Sequence, residues 1–237
     1  MKFIKIILAV IVLSLTSTRL SAHALWIETA ANGKLGQKHT VKIFYGEFVD
    51  GERDSVSKWY SDVKEMSLWL IGPDQKKIQL NVIPGTNYLE SSFIPVENGG
   101  YTLLVSHEAK ELGGATKYHF LSSATVAVGK TLPDLKDNSN ALSLHSNNLL
   151  FAKTNTPLKL KATLNDAAAS GKAITVFSSN GWSKSLTSGT DGTAEFTPLW
   201  SGRYVVEVSD TDKTPGQHNG KDFKSTWKGA TYSFEVK

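Results

Sequence analysis

Five side chains are our candidate ligands for a transition metal: His23, Glu47, His107, His119 and His218. Neutral imidazole nitrogens suit zinc, copper and nickel, and a carboxylate oxygen can complete the coordination shell. The chain contains no cysteine, so thiolate zinc sites, iron–sulfur clusters and cysteine nucleophiles are excluded. These residue types therefore indicate binding of a divalent metal ion by nitrogen and oxygen donors.

His23 lies at a predicted cleavage site. Residues 1–22 read as a secretory signal peptide, with a positively charged start and an apolar run that is too short to span a bilayer. Cleavage after Ala22 would make His23 the first residue, and its free amine and imidazole could then chelate one metal ion. Cleavage after Ala24 fits the sequence equally well and would remove His23. In either case we expect a soluble periplasmic protein without stable membrane insertion.

His107 and His119 belong to two successive predicted strands. If these strands pair through the loop 109–116, both imidazoles would lie near one sheet edge and could join His23 at a metal ion. The alternative is that each is an ordinary polar residue at a strand end or in the core.

His218 and Glu47 are the remaining candidate ligands. His218 lies in a glycine-flanked loop, 214–220, where it is either a site residue or part of a turn. Glu47 interrupts an aromatic strand end, and the alternative to metal binding there is a salt bridge to a lysine.

Charge and motifs exclude several classes of function. Signal cleavage removes three of the 26 basic residues and no acidic one, which leaves 23 basic against 22 acidic side chains and argues against a nucleic-acid partner. The sequence has no nucleophile elbow, phosphate loop, dinucleotide fingerprint or H-E-x-x-H motif. We therefore predict no catalytic residues and no enzyme activity.

Short β-branched and aromatic runs alternate with turn residues along the mature chain, a pattern that predicts an all-β fold. We expect two consecutive β-sandwich domains of immunoglobulin-like or transthyretin-like type. The first covers residues 23–130, a polar linker covers 131–148, and the second covers 149–237. The stretch 187–208 resembles the transthyretin-like or carboxypeptidase-regulatory sandwich, which bears on fold and not on chemistry.

Four motifs resemble one bacterial exported family of unknown function, described by similarity as the periplasmic component of cobalt or nickel transport. They are A-H-A-L-W-I at 22–27, Y-G-E-F at 45–48, V-F-S-S-N-G-W-S-K at 176–184 and T-P-G-Q-H-N-G at 214–220. The P-G turn at Pro84 and Gly85, with the strand beside it, shares this resemblance. The resemblance implies an envelope protein of divalent-metal uptake that delivers its ion to a membrane-bound transport component. It carries over His23 and His218 as ligands.

Two alternatives to a nickel or cobalt carrier stay open. The H-A-L opening also resembles small periplasmic copper-resistance sandwiches, which bind copper through an N-terminal histidine and a second histidine; a copper oxidase with such a histidine brace is one alternative. The other is a non-catalytic carbohydrate-binding or adhesion module that uses exposed tryptophan and tyrosine side chains.

Overall fold

The computed structural model describes residues 23–129, 138–146 and 152–237. Within these ranges the chain is nearly all β-strand, and the predicted all-β, sandwich-like fold is confirmed. No helix of the described ranges is long and apolar enough to cross a membrane. The predicted signal peptide, residues 1–22, lies outside the described residues.

The strands alternate with short turns in both halves of the chain. Up to residue 128 they are β1 (Ala24–Thr29), β2 (Asn32–Gly33), β3 (His39–Gly46), β4 (Leu68–Ile71), β5 (Lys77–Leu80), β6 (Ile83–Pro84), β7 (Leu89–Phe93), β8 (Gly99–Glu108) and β9 (Thr116–Val128). After residue 128 they are β10 (Leu142–His145), β11 (Leu158–Leu164), β12 (Ala167–Ala168), β13 (Ala173–Ser178), β14 (Ser183–Thr187), β15 (Thr193–Phe196), β16 (Gly202–Asp212), β17 (Gly216–His218), β18 (Lys221–Phe223) and β19 (Ser225–Val236). Two 3-10 turns, Val56–Lys58 and Val63–Glu65, lie between β3 and β4.

One large sheet runs through both halves of the chain. Its strand order is β14-β13-β16-β19-β9-β8-β4-β5, and β2 also pairs with β9. The neighbours along this order pair antiparallel except β9 and β19, which pair in parallel from Thr116 beside Ser225 to Ser123 beside Tyr232. This parallel pair joins the strands of the first half to those of the second.

The first core lies on one face of this sheet, under a four-stranded sheet of order β1-β3-β7-β6. Leu25 and Ile27 of β1 face inward together with Leu103 and Val105 of β8. Each of these residues is at most 1% exposed. They alternate along their strands because successive side chains point to opposite faces. Burial of each such side chain stabilises the fold by roughly 1.5–3 kcal/mol.

The second core lies on the opposite face of the large sheet. The sheet of order β10-β11-β12, with β15 also paired to β11, covers β13, β16 and β19 there. Phe120 belongs to the first core and its neighbour Leu121 to the second. Strand β9 is therefore covered on both faces.

The predicted linker contains a strand. Leu142–His145 pairs antiparallel with β11, and Leu142 and Leu144 are fully buried in the second core. Each half has its own core, but the halves share the large sheet. The division into domains 23–130 and 149–237 stays a prediction.

A third apolar cluster fixes the strands that carry the candidate site. Trp26 of β1 and Phe44 of β3 pack against Val205 of β16. The guanidinium of Arg53 lies 4.9 Å from the centroid of the Phe44 ring and pairs with Glu28 at 2.9 Å. These contacts attach β1 and β3 to the second half of the large sheet.

Candidate metal centre

His23 leads directly into β1. Because Ala24 lies opposite Gly46 in the pairing of β1 with β3, His23 lies beside the residues that end β3. Its imidazole stacks on the ring of Tyr45, with the ring centroids 5.4 Å apart and an interplanar angle of 28°. The His23 side chain is 40% exposed, so the imidazole is held by a neighbour and still open to solvent.

Two carboxylates flank the two nitrogens of this imidazole. Nδ1 of His23 lies 3.6 Å from Oε1 of Glu47, and Nε2 lies 3.3 Å from Oδ2 of Asp54. A histidine that binds a metal through one nitrogen usually donates the other ring N–H to a carboxylate, which fixes its tautomer and orientation. The arrangement therefore suits an ion on the Nδ1 side, beside Glu47, with the carboxylate of Asp54 in electrostatic contact with Nε2.

A tight turn after β3 brings both carboxylates to the imidazole. Gly46 has a φ of +146°, and a Cβ there would lie 2.7 Å from the carbonyl oxygen of Glu52, so the turn requires glycine. The backbone N–H of Glu52 donates to the carbonyl of Glu47 at 3.0 Å, and that of Asp54 donates to the carbonyl of Tyr45 at 2.9 Å. The positions of both carboxylates follow from this backbone geometry.

Within the described ranges, no lysine or arginine pairs with Glu47 or Asp54, whose ionisable neighbour is the imidazole of His23. Oε1 of Glu47 is buried and accepts no hydrogen bond from the described residues. Burial, and then the charge of Glu47, raise the pKa of Glu207 on β16 to about 7. Arg53 pairs with Glu28 instead. Because a buried carboxylate costs free energy without a partner, this corner favours a bound cation.

An aromatic pocket of about 270 Å³ opens beside His23. It is lined by His23, Gly113 and five rings, those of Tyr45, Tyr60, Tyr118, Phe120 and Trp227. The rings of Tyr60 and Tyr118 meet at 83°, and those of Phe120 and Trp227 meet at 67°. Rings at such angles enclose a space rather than form a flat platform. Within this lining, only His23 carries a nitrogen that ligates metals.

Two glycines make room for the pocket walls. A Cβ at Gly113 would overlap the ring of Tyr118, and a Cβ at Gly229 would overlap the indole of Trp227. Tyr118 and Trp227 lie side by side in the parallel pairing of β9 with β19, and Gly229 lies beside Phe120 in the same register. The pocket therefore depends on the pairing that joins the two halves.

His107 and His119 lie on opposite faces of the large sheet. Strands β8 and β9 pair as expected, with His107 opposite Phe120 and Glu108 opposite His119. Since adjacent residues of a strand point to opposite faces, the two imidazoles point away from each other. One metal ion on one face of the sheet cannot bind both.

His107 contacts Asp62. Its Nε2 lies 3.2 Å from Oδ1 of Asp62 but outside hydrogen-bond alignment, so this contact is electrostatic. Burial would raise the pKa of Asp62, but a backbone hydrogen bond from Lys110 and the neighbouring His107 outweigh it and lower the pKa to about 2. This pair ties the end of β8 to the 3-10 turns before β4.

His119 lies between a hydroxyl and a carboxylate. Its Nε2 is 2.8 Å from Oγ of Ser106, and its Nδ1 is 3.8 Å from Oε1 of Glu108. A serine, a histidine and a carboxylate in this order resemble a hydrolase triad. The Nδ1 distance is too long for a hydrogen bond, however, and Lys117 donates to the same Glu108 oxygen at 3.0 Å. Burial lowers the pKa of His119 to about 4, so the ring is neutral near pH 7.

His218 ends strand β17 of a small hairpin. Asn219 and Gly220 have φ values of 51° and 76°, as a two-residue type I′ turn requires. Nε2 of His218 donates to the carbonyl of Ala109 at 2.9 Å, and Asn219 donates to that of Lys110 at 3.1 Å. These bonds dock the hairpin on the segment after β8.

The structure thus brings two of the five sequence candidates together. His23 and Glu47 are neighbours, whereas His107, His119 and His218 make the other contacts described above. No group of three or more His, Asp or Glu side chains in the described ranges is arranged to hold a metal ion. A metal centre at His23 therefore needs a further donor, and cleavage after Ala22 would supply one as the terminal amine.

Sequence reasoning did not identify Asp54, Glu207 or the pocket rings as a group. Asp54 lies in a polar stretch without a motif, so its sequence context carries no signal. Glu207 interrupts an apolar strand, and the sequence alone could have identified it as an unusual charged residue. Tyr118 and Trp227 meet through a parallel pairing of strands distant in sequence, which no local pattern indicates.

No protein-family model matches the chain, and no curated protein shows significant sequence similarity to it. The family resemblance of the four motifs therefore stays a prediction.

Proposed function

We propose that the mature protein is a non-catalytic periplasmic carrier of a divalent metal ion, of the nickel, cobalt or copper type, which it binds at His23. The observation that supports this proposal is the position of the His23 imidazole, with Glu47 at Nδ1 and Asp54 at Nε2. A membrane-bound metal-transport component is the partner to which such a carrier would deliver its ion.

The donor set follows from the chemistry of an N-terminal histidine. After cleavage behind Ala22, the amine and Nδ1 of His23 can close a six-membered chelate ring on one ion. Glu47 offers a third donor on the same side of the imidazole, and Asp54 holds the ring from the other side. The carboxylates of Glu47 and Asp54, which pair with no lysine or arginine of the described ranges, add electrostatic attraction for a cation.

The test measures metal binding by the mature chain that begins at His23. Native mass spectrometry with nickel, cobalt, copper and zinc reports stoichiometry, and competition against a coloured chelator reports affinity. We expect one tightly held ion. The matched variants are His23→Ala and the same chain with an acetylated N-terminus, which keeps the imidazole and removes the amine.

Each variant should weaken binding by at least about 100-fold, or roughly 2.7 kcal/mol. His218→Ala serves as the control, because His218 contacts Ala109 and should leave the affinity unchanged. Equal affinity in the parent, the acetylated chain and His23→Ala would overturn the proposal.

A second function, carbohydrate binding, is favoured by a pair of tryptophans in the second half of the chain. The rings of Trp182 and Trp200 lie 5.8 Å apart at 68°, and Trp200 is 41% exposed. Binding to a polysaccharide that persists in chelator and is lost in Trp200→Ala would support this alternative. The described contacts of His23 do not include the second histidine that a copper brace requires.

A further inference from the structure

We propose that the aromatic pocket binds a small organic chelator with a planar ring, so that the metal ion is held between His23 and the chelator as a mixed complex. This inference rests on the proposed function and names the class of molecule that accompanies the ion.

The protein supplies too few donors to complete the coordination shell. The amine and Nδ1 of His23 with one Glu47 oxygen make three, whereas copper(II) and nickel(II) in tetragonal sites take four or more. Within the described ranges, no further His, Asp or Glu side chain completes such a group. The remaining positions must come from water or from a second molecule, and the pocket is the space that adjoins the imidazole.

The pocket walls favour a ring over water. Phe120 and Trp227 offer no hydrogen-bond acceptor, and Tyr60 uses its hydroxyl to donate to a neighbouring carbonyl at 2.9 Å. The remaining hydroxyls of the lining, those of Tyr45 and Tyr118, can meet a polar atom of a bound ring. A planar ring would bury apolar surface and make edge-to-face contacts with walls at these angles. The volume of about 270 Å³ is slightly below the usual range of drug-sized pockets and fits a molecule with one ring.

Charge makes occupancy of the pocket dependent on the metal. The carboxylates of Glu47 and Asp54 lie 3.6 Å and 3.3 Å from the two ring nitrogens of His23. An anionic chelator alone would be repelled by this corner, whereas its complex with a divalent ion carries net positive charge and is attracted. We therefore expect the chelator to bind only together with the metal.

The experiment compares two chelators that share a donor set. Pyridine-2-carboxylate and glycinate each bind a metal through one nitrogen and one oxygen, but only the first has a ring. Native mass spectrometry and calorimetry use the mature chain with nickel alone, with each chelator alone, and with each nickel complex. We expect a ternary mass with pyridine-2-carboxylate, an affinity about tenfold above that of the glycinate complex, equivalent to 1.4 kcal/mol, and no binding of chelator alone.

Pocket variants separate the ring contacts from the metal site. Trp227→Ala and, independently, Tyr60→Ala should abolish the preference for the ring-bearing complex while the affinity for nickel alone stays within about twofold. Trp69→Ala is the control, because Trp69 lies on β4 and does not line the pocket. The second pocket variant keeps the test valid if one of the two does not fold.

The outcomes distinguish this inference from the proposed function. If nickel alone is held and neither a ternary mass nor a preference for the ring is seen, the inference fails and the proposed function stands. If nickel is held neither alone nor as a complex, both fail. A preference that survives both pocket variants would also overturn the assignment to this pocket.

Discussion

Nε2 of His23 lies 3.3 Å from Oδ2 of Asp54, on the edge of the imidazole opposite to Glu47. The shorter contact, to Asp54, favours the tautomer that carries the ring proton on Nε2. In that tautomer Nδ1 carries the free lone pair. Nδ1 is also the nitrogen that can share a chelate ring with the amine of the same residue.

Asp54→Asn should therefore weaken metal binding without removing it. The amide keeps the size of the side chain but loses the charge that orients the imidazole, and loss of such an outer contact costs about 10–100-fold in metal affinity. Competition titration with nickel measures this change. Glu52→Gln, at an exposed acid of the same turn, is the control. An equal loss of nickel affinity in both variants would mean that Asp54 acts only through its negative charge and does not orient the imidazole.

His119→Gln should flatten the dependence of stability on acid pH. Burial lowers the pKa of His119 to about 4. In the unfolded chain this histidine is protonated below about pH 6.5, whereas in the folded chain it stays neutral down to about pH 4. The free energy of unfolding therefore falls as the pH drops from about 6.5 to 4. Urea unfolding at pH 7.5 and 4.5 should show a difference smaller by about 2–3 kcal/mol in the variant.

The variant His119→Gln will still lose some stability between pH 7.5 and 4.5, because burial also lowers the pKa values of His39 and His145. An unchanged difference between the two pH values would mean that His119 does not titrate in a buried environment.

Glu207→Gln should stabilise the protein at alkaline pH. Burial and the charge of Glu47 raise the pKa of Glu207 to about 7, so the folded state loses stability as the pH rises from about 4.5 to 7. The neutral amide removes this penalty, and the variant should exceed the parent by about 3 kcal/mol at pH 8.5 and by almost nothing at pH 4.5. Glu195→Gln, at an exposed position of β15, should show no such difference. A variant less stable than the parent at pH 8.5 would contradict this prediction.

Gly229→Ala should displace the indole of Trp227 and close the pocket. The added Cβ would overlap the ring, and overpacking of this kind costs about 1–3 kcal/mol. Urea unfolding and tryptophan fluorescence measure the two effects. Trp227→Leu in the same chain removes the overlapping ring atoms, so the double variant should recover part of the stability lost in Gly229→Ala. Additive losses would show that the strain lies elsewhere in β19.

The fold was largely predictable because its strands carry their signal locally. The alternation of Leu158–Leu164 follows from one buried and one exposed face, and this alternation is visible in the sequence alone. Strand β10 carries only two apolar residues, Leu142 and Leu144, among Ser and Asn, which is too short a pattern to stand out. The shared sheet was not predictable, because the pairing of β9 with β19 depends on packing between distant segments.

The candidate site was predictable only in part, for a related reason. His23 was recognisable from its place at a predicted cleavage site, and Glu47 from the aromatic run that it interrupts. Asp54 reaches the imidazole through a turn that Gly46 makes, and the pocket rings come from several separate segments. A local sequence pattern indicates which residues are buried and where turns lie. It does not indicate which distant segments come into contact in the folded chain.

The central place of β19 has a consequence for the order of folding. Residues 225–236 lie between β9 and β16 in the large sheet, and β9 is more than one hundred residues earlier in the chain. Pairings of such wide sequence separation form slowly, since the loop between them must close first. Strands β8 and β9 can form a hairpin early, but the Tyr118 side of the pocket stays without its Trp227 wall until the last strand arrives. Assembly of the pocket should therefore be among the final events of folding.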